Sequence, residues 1–242
     1  MSSIAERIKS KKKESGHFIV VAAERTVGKT TIAGTLPGNT LFLFANVYES
    51  GYESAVALAK RNGNKMDALT FVDLKDLVAI LSEDISGYDN IFIDGISAVS
   101  AMKSDEPLVE KLAKTNVWDA YKVIGDSMRD FIFLCKEIST TGKNVITTLA
   151  LTPELNANGA LVSLKPVTKG KVVLQEITGK APIFVTLRLV EDDKGATRRE
   201  MVTKSDVNYI GRIDSLLDED NPGVMEADLG KLLNLVKEVK WL

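Results

Sequence analysis

The apolar run Phe18-Ile19-Val20-Val21-Ala22 leads into Ala23-Glu24-Arg25-Thr26-Val27-Gly28-Lys29-Thr30-Thr31, and no other stretch limits the fold as tightly. A buried strand that gives way to a loop and then a helix gathers backbone N–H groups at one point, where the helix adds its partial positive end. Anions bind at such a point. The pattern is that of a phosphate-binding loop, G-x-x-x-x-G-K-[ST], with Ala23 in place of the first glycine. In it Lys29 reaches the β and γ phosphates, Thr30 holds Mg²⁺, and Gly28 lets backbone approach phosphate; the whole run from Ala23 to Thr31 is the expected nucleotide cradle. Alanine costs roughly 1–2 kcal/mol only where the backbone is left-handed, so a negative φ is expected at Ala23. With about 7% glycine in ordinary chains, a chance match in a chain this long is roughly 2%. The strand before the loop and the helix-like run 30–36 after it lower that further.

The chain has 242 residues, enough for one large α/β domain with a full core. Hydrophobic residues are 45% and charged residues 26%, a globular rather than a disordered composition. Lys plus Arg number 31 against 33 Asp plus Glu, so no global positive field draws the protein to nucleic acid, and any such binding must be local. Cys135 is the single cysteine and lies in an apolar helical pattern, which excludes an internal disulfide and suits a reducing cytoplasm. His17 is the single histidine, too little for a His-rich metal site or a Ser-His-Asp triad. No apolar run reaches about 18 residues and the first 15 lack a signal-peptide core, so a soluble, cytoplasmic protein without a membrane partner is expected.

Read in order, residues 1–16 form an arm with Lys9-Ser10-Lys11-Lys12-Lys13, either a solvated terminus or a segment that docks on a neighbouring subunit. Leu36-Pro37-Gly38-Asn39 stops the helix, and 40–45 reads as a second buried strand. Residues 54–61 look helical, 69–72 a short strand and 73–85 a helix. The run Tyr88-Asp89-Asn90-Ile91-Phe92-Ile93-Asp94 is an apolar strand ending in a carboxylate. In phosphate-loop NTPases such an Asp supports Mg²⁺, and ligands of open parallel sheets bind beyond the carboxyl ends of strands. Asp94 and the phosphate loop should therefore converge, with Thr30 and Asp94 as the metal-supporting pair. Residues 95–117 are less regular. Trp118, Tyr121, Ile124, Met128, Phe131, Ile132, Cys135 and Ile138 form a helical stripe read as core. Residues 144–150 form another central strand, where Thr147 and Thr148 stand where a γ-phosphate-sensing side chain is expected. Residues 152–171, with three lysines among Pro, Asn and Gly, read as a long irregular loop. Strands at 171–177, 182–190 and 198–203 make a β extension with a turn at 191–195, and Met225, Leu229, Leu232, Leu233, Val236 and Val239 mark a closing amphipathic helix. The domain reading is an arm at 1–16, a core with its β extension at 17–215 and a tail with helix at 216–242.

With these elements assembled, the chain resembles the single-domain, RecA-like ATPases encoded by phages, a Sak-type family linked to single-strand annealing and recombination. The resemblance rests on the phosphate loop, Glu49-Ser50-Gly51 after the second strand, the Asp94 strand, the Thr-containing strand, and a terminal pattern of Arg199, Thr203, Tyr209 and Gly211-Arg212. It implies a P-loop NTPase fold, α/β, with a mostly parallel sheet flanked by helices, and ATP with Mg²⁺ as cofactors. It also implies a glutamate just after the second strand that orients the attacking water. Glu49 fits by the Glu-x-Gly match, whereas ungapped counting places Asn46 there, and an amide cannot act as a general base. From the family's habits come a homo-oligomer, ring or filament, in which a neighbour's basic residue completes the site, here Arg212 with Arg199 and Lys204 behind it. The catalytic set so implied is Lys29, Glu49, Asp94, Thr148 and Arg212. The loop after the Thr strand is the family's DNA-binding position, so Lys165, Lys169 and Lys171 are the expected contacts to single-stranded DNA.

Three functions compete at this stage. The first is an ATP-driven protein that assembles on single-stranded DNA for phage recombination, annealing or replication. The second is an ATP-gated loader of a replication or recombination protein. The third is a small-molecule kinase, disfavoured by the lack of an arginine-rich lid segment.

Overall fold

The structure is a computed structural model that describes residues 16–45, 51–159, 161–168, 177 and 179–238. The arm 1–15 lies outside the described residues, as do Asn46, Glu49, Lys169, Lys171, Val239 and the strand expected at 171–177 save Ile177.

Among the described residues, ten strands form one mixed sheet. They are β1 (Phe18–Glu24), β2 (Asn39–Ala45), β3 (Lys65–Phe71), β4 (Asn90–Asp94), β5 (Asn144–Leu155), β6 (Leu161–Pro166), β7 (Ile183–Glu191), β8 (Thr197–Val202), β9 (Arg212–Ile213) and β10 (Val224–Glu226). The order is β10-β8-β7-β1-β5-β4-β2-β3, parallel from β7 to β3, with β8 and β10 antiparallel at one edge. The sheet is thus mostly parallel, with the phosphate-loop strand at its centre. Because β1 is covered on both faces, Phe18 to Ala23 are all at most 1% exposed, which is why the run is apolar without alternation.

Helices α1 (Tyr52–Arg61), α2 (Leu74–Leu81), α3 (Ile96–Ser104), α4 (Pro107–Thr115), α5 (Val117–Ser139) and α6 (Leu229–Glu238) flank the sheet. Two buried clusters lie on opposite faces. The first unites Val20, Leu43, Ile93 and Leu149 with Leu77 of α2, Val99 of α3, Val109 of α4 and Phe131 of α5. The second unites Val21, Phe42, Phe92 and Ile146 with Ile32, with Ala55 of α1 and with Leu229, Leu232, Leu233 and Val236 of α6. The closing helix therefore docks on its own core, on the face that carries the phosphate loop. No described helix is long and apolar enough to cross a membrane.

Several expectations are corrected. The helix after the phosphate loop is only a 3-10 turn, Thr31–Thr35. Thr, Ile and Gly are poor helix formers, and Pro37 drives Leu36 to extended backbone, so the segment ends before an α-helix can propagate. Residues 95–117 hold two helices; Pro107 starts the second, and Asn116 caps α5 by accepting a bond from the Trp118 amide. Trp118 and Tyr121 are 77% and 41% exposed rather than core. In the first turns of α5 the residues that join the core are Ala120 and Ile124, 3% and 2% exposed, so Trp118 and Tyr121 fall outside the buried face.

The described part of the expected loop at 152–171 is not structureless: β5 runs on to Leu155 and β6 lies antiparallel to it, with Pro153 opposite Leu164 and Leu151 opposite Pro166. Leu151 and Leu164 join the core, and as an edge strand β6 tolerates its proline. Met225 belongs to β10, not to the closing helix.

Candidate nucleotide site

Four strands deliver the site to one end of the sheet. Ala23 and Glu24 end β1 beside Ala150 and Leu151 of β5, and Asp94 ends β4 beside Phe44 of β2. Alternation along β4 and β5 puts Asp94 and Thr148 on the same face as Phe92 and Ile146, the face under the phosphate loop.

The loop is shaped by two left-handed residues, Thr26 with φ +67° and Gly28 with φ +102°. Thr26 is the one described non-glycine residue with positive φ, so Ala23 is spared that conformation and needs no glycine. A β-branched residue held left-handed stores roughly 1–3 kcal/mol, the kind of strain that collects at ligand sites. Val27 is 7% exposed and pins the loop's crown to the core. Lys29 folds back along the loop, its Nζ donating to the carbonyls of Ala23 at 3.2 Å and Glu24 at 2.9 Å.

Asp94, 1% exposed, is the hub. Thr30 Oγ1 donates to its Oδ2 at 2.6 Å, and Thr148 Oγ1 donates to its Oδ1 at 2.5 Å. A hydroxyl has one proton and two lone pairs. Thr30, its proton committed to Asp94, presents only lone pairs to whatever lies on its far side. Hard oxygen donors of this kind suit Mg²⁺, which prefers one or two protein oxygens completed by phosphate and water. Among the described residues there is no cluster of three or more His, Cys, Asp or Glu that would hold a metal unaided. The predicted pair therefore fits a cation that arrives with a nucleotide. Gly95, joined to Asp94 by a cis peptide bond, is required by Thr148: a Cβ there would lie 2.2 Å from Thr148 Oγ1. Ser97 Oγ accepts from the Ala150 amide at 3.1 Å and ties α3 to β5. Of the two threonines, Thr148 faces the loop; Thr147 is buried on the other face, its Oγ1 without a hydrogen-bond partner.

The remaining expected residues are scattered. Gly51, the glycine of the Glu-x-Gly match, has φ +91° and precedes α1, whose Ser54 Oγ is 2.8 Å from Thr31 Oγ1. Arg212 Nε lies 2.9 Å from Asp214 Oδ1, and its Nη2 donates to the Ala181 carbonyl. It stands opposite Phe184, which pairs with Val20, level with the middle of β1 rather than its carboxyl end. Lys204 Nζ reaches Asp218 at 3.5 Å. Lys165, on the β5–β6 hairpin, is bonded to Glu154 at 2.6 Å, and that bond, with the one from Ser163, lowers the Glu154 carboxyl below its ordinary range.

One contact escaped sequence reasoning. Arg199 on β8 donates from Nε to the Val27 carbonyl at 2.8 Å, within the same chain and 172 residues away. On the opposite face of β7 and β8, Glu200 receives Arg188 at 2.9 Å and Arg198 at 2.7 Å. Burial works to raise the Glu200 carboxyl, but the two guanidinium groups outweigh it and the net shift is downward.

A strand-loop-turn that carries Lys29 and Thr30, an Asp-ended strand near it and a Thr-bearing strand inserted between the two define a P-loop NTPase. A family model described as AAA domain matches residues 15–213. The chain belongs to that family and is a P-loop, AAA-type, nucleotide-binding ATPase, whose domain implies ATP. A search of curated proteins found no match.

Proposed function

We propose that the protein binds ATP with Mg²⁺ and hydrolyses it while assembled as a homo-oligomer on single-stranded DNA, in phage recombination, annealing or replication. The observation that carries the ATP part is the bonding of Thr30 and Thr148 to the two oxygens of one buried carboxylate, Asp94, beneath a loop that ends in Lys29. When bound, the cation would offset phosphate charge. Lys29 and the loop amides bind and orient the phosphates, and Thr30 with Asp94 hold the cation's coordination sphere. Thr148 couples the state of Asp94 to β5. Glu49 is the residue assigned to orient the attacking water and Arg212 the residue a neighbour contributes, exchanging Asp214 for phosphate.

The DNA part draws on continuity. Strand β5 carries Thr148 at the nucleotide site and runs without a break into the hairpin that presents Lys165, so a shift at Asp94 has a stiff path to that hairpin. Lys169 and Lys171 complete the assigned set. ATPase activity measured with and without single-stranded DNA tests the proposal. Stimulation is expected in the wild type and is lost when the three lysines become alanine, with a salt slope of DNA affinity flattened by about 2 at roughly 0.7 per phosphate contact. Turnover indifferent to DNA, with unchanged DNA affinity in the triple variant, would leave an ATPase of another role, such as a loader.

A further inference from the structure

We propose that Arg199 is a positioning residue of the phosphate loop, which holds the Val27 carbonyl outward and thereby turns the Gly28 amide toward bound phosphate. The inference rests on the ATP reading of this site and adds a residue from the far edge of the sheet.

The argument begins with alternation on β8. Met201 is fully buried in the cluster beneath the phosphate loop. Arg199 lies two residues earlier and so shares that face, whereas Arg198 and Glu200 point to the other side and bond to each other. Among the described residues no carboxylate pairs with Arg199, so its charge is not spent on the Glu200 cluster and remains beside the loop.

Its position against the loop is close on two sides. Nε donates to the Val27 carbonyl at 2.8 Å. A Cβ added to Gly28 would lie 2.8 Å from Arg199 Nε, 3.1 Å from Cζ and 3.4 Å from Cδ. Gly28 is therefore fixed both by its φ of +102° and by the guanidinium lying against its α-carbon. The Val27–Gly28 peptide is not among the cis bonds, and in a planar trans peptide the carbonyl and the following N–H point in opposite directions. With the carbonyl held by Arg199, the Gly28 N–H faces away from it, to the side where an anion is received. Left unheld, this peptide can rotate and present an oxygen to phosphate.

The strand that carries Arg199 is itself held. The Ala227 amide donates to the Arg199 carbonyl at 3.4 Å, and two residues on the Leu229 amide donates to Thr35 Oγ1 at 2.8 Å. The segment that begins α6 thus ties together the strand that grips the loop and the turn that follows it.

The test uses the full chain and three variants, Arg199→Met, Arg199→Lys and Lys29→Ala. Fluorescent ADP and ATP analogues give Kd, steady-state turnover gives kcat and KM, and thermal melting without nucleotide gives stability. Arg199→Met should raise Kd for both nucleotides, and KM with them, by about tenfold, the equivalent of one lost hydrogen bond, with kcat within about twofold. Arg199→Lys should recover most of the affinity, because an ammonium also donates to that carbonyl. Wild-type Kd and KM in Arg199→Met would overturn the inference while leaving the ATP site intact, provided that Lys29→Ala loses binding. A loss of kcat at unchanged KM in both Arg199 variants would also overturn it and place the guanidinium on the transferred phosphate. A wild-type protein that binds neither nucleotide would remove the ATP reading and this inference together.

Discussion

Replacing Thr148 with valine keeps the shape of a buried side chain and deletes one hydrogen bond, that to Asp94 at 2.5 Å. Hydrogen bonds to charged groups contribute about 1.5–3 kcal/mol. Asp94 keeps the Thr30 hydroxyl, so it is not orphaned, and the lower half of that range applies to the lost bond. A methyl then faces a carboxylate oxygen that is 1% exposed and cannot regain water, which returns the sum to about 2 kcal/mol. For a domain of this size that is a melting temperature lower by roughly 4–8 °C. Differential scanning fluorimetry reads it directly, and ATP turnover should fall together with it, because Asp94 loses one of the two bonds that aim it. Thr148→Ser restores the hydroxyl and should restore both. A Thr148→Val variant that melts within about 1 °C of the wild type and turns over normally would refute the reasoning, since it would mean that the short contact contributes nothing to either state.

Lys29→Ala should abolish tight nucleotide binding while changing melting temperature little without nucleotide, because its two bonds to loop carbonyls are partly exposed; calorimetric titration with ATP checks it. Gly34→Ala places a Cβ 2.5 Å from the Ala55 carbonyl and 2.6 Å from Leu58 Cβ, so the turn and α1 must separate, at a cost of about 2–3 kcal/mol measured by denaturant titration. Glu200 carries a pH signature. Its folded carboxyl is lowered, so the stability it contributes is present above the ordinary carboxylate range and is lost as pH falls through the lowered value. Glu200→Gln should therefore cost about 1–2 kcal/mol near neutral pH, limited by the exposure of Arg198, and melting curves against pH should show a shallower acid decline than the wild type.

The sequence by itself determined the elements whose signal lies within a few residues. The phosphate loop is one such element, because loop curvature, lysine reach and strand burial all act within a dozen positions. Asp94 is another, since a carboxylate at the end of an apolar strand is a local contrast. The alternation of strands and helices that makes a parallel sheet was legible for the same reason. The tertiary structure alone decided what meets across the sheet. Thr148 and Asp94 are 54 residues apart, and Arg199 and Val27 are 172 apart, joined only because β7 and β8 stack outward from β1. Local pattern also misled where its energetics depend on distant partners. Trp118 and Tyr121 continue a helical stripe but are exposed where Ala120 and Ile124 beside them are buried, and the prolines of 152–171 suggested a loop because Pro153 and Pro166 meet their antiparallel partners only after the chain has turned. Periodicity reports which face of an element is apolar; whether anything lies opposite that face depends on lengths and registers that no local window contains.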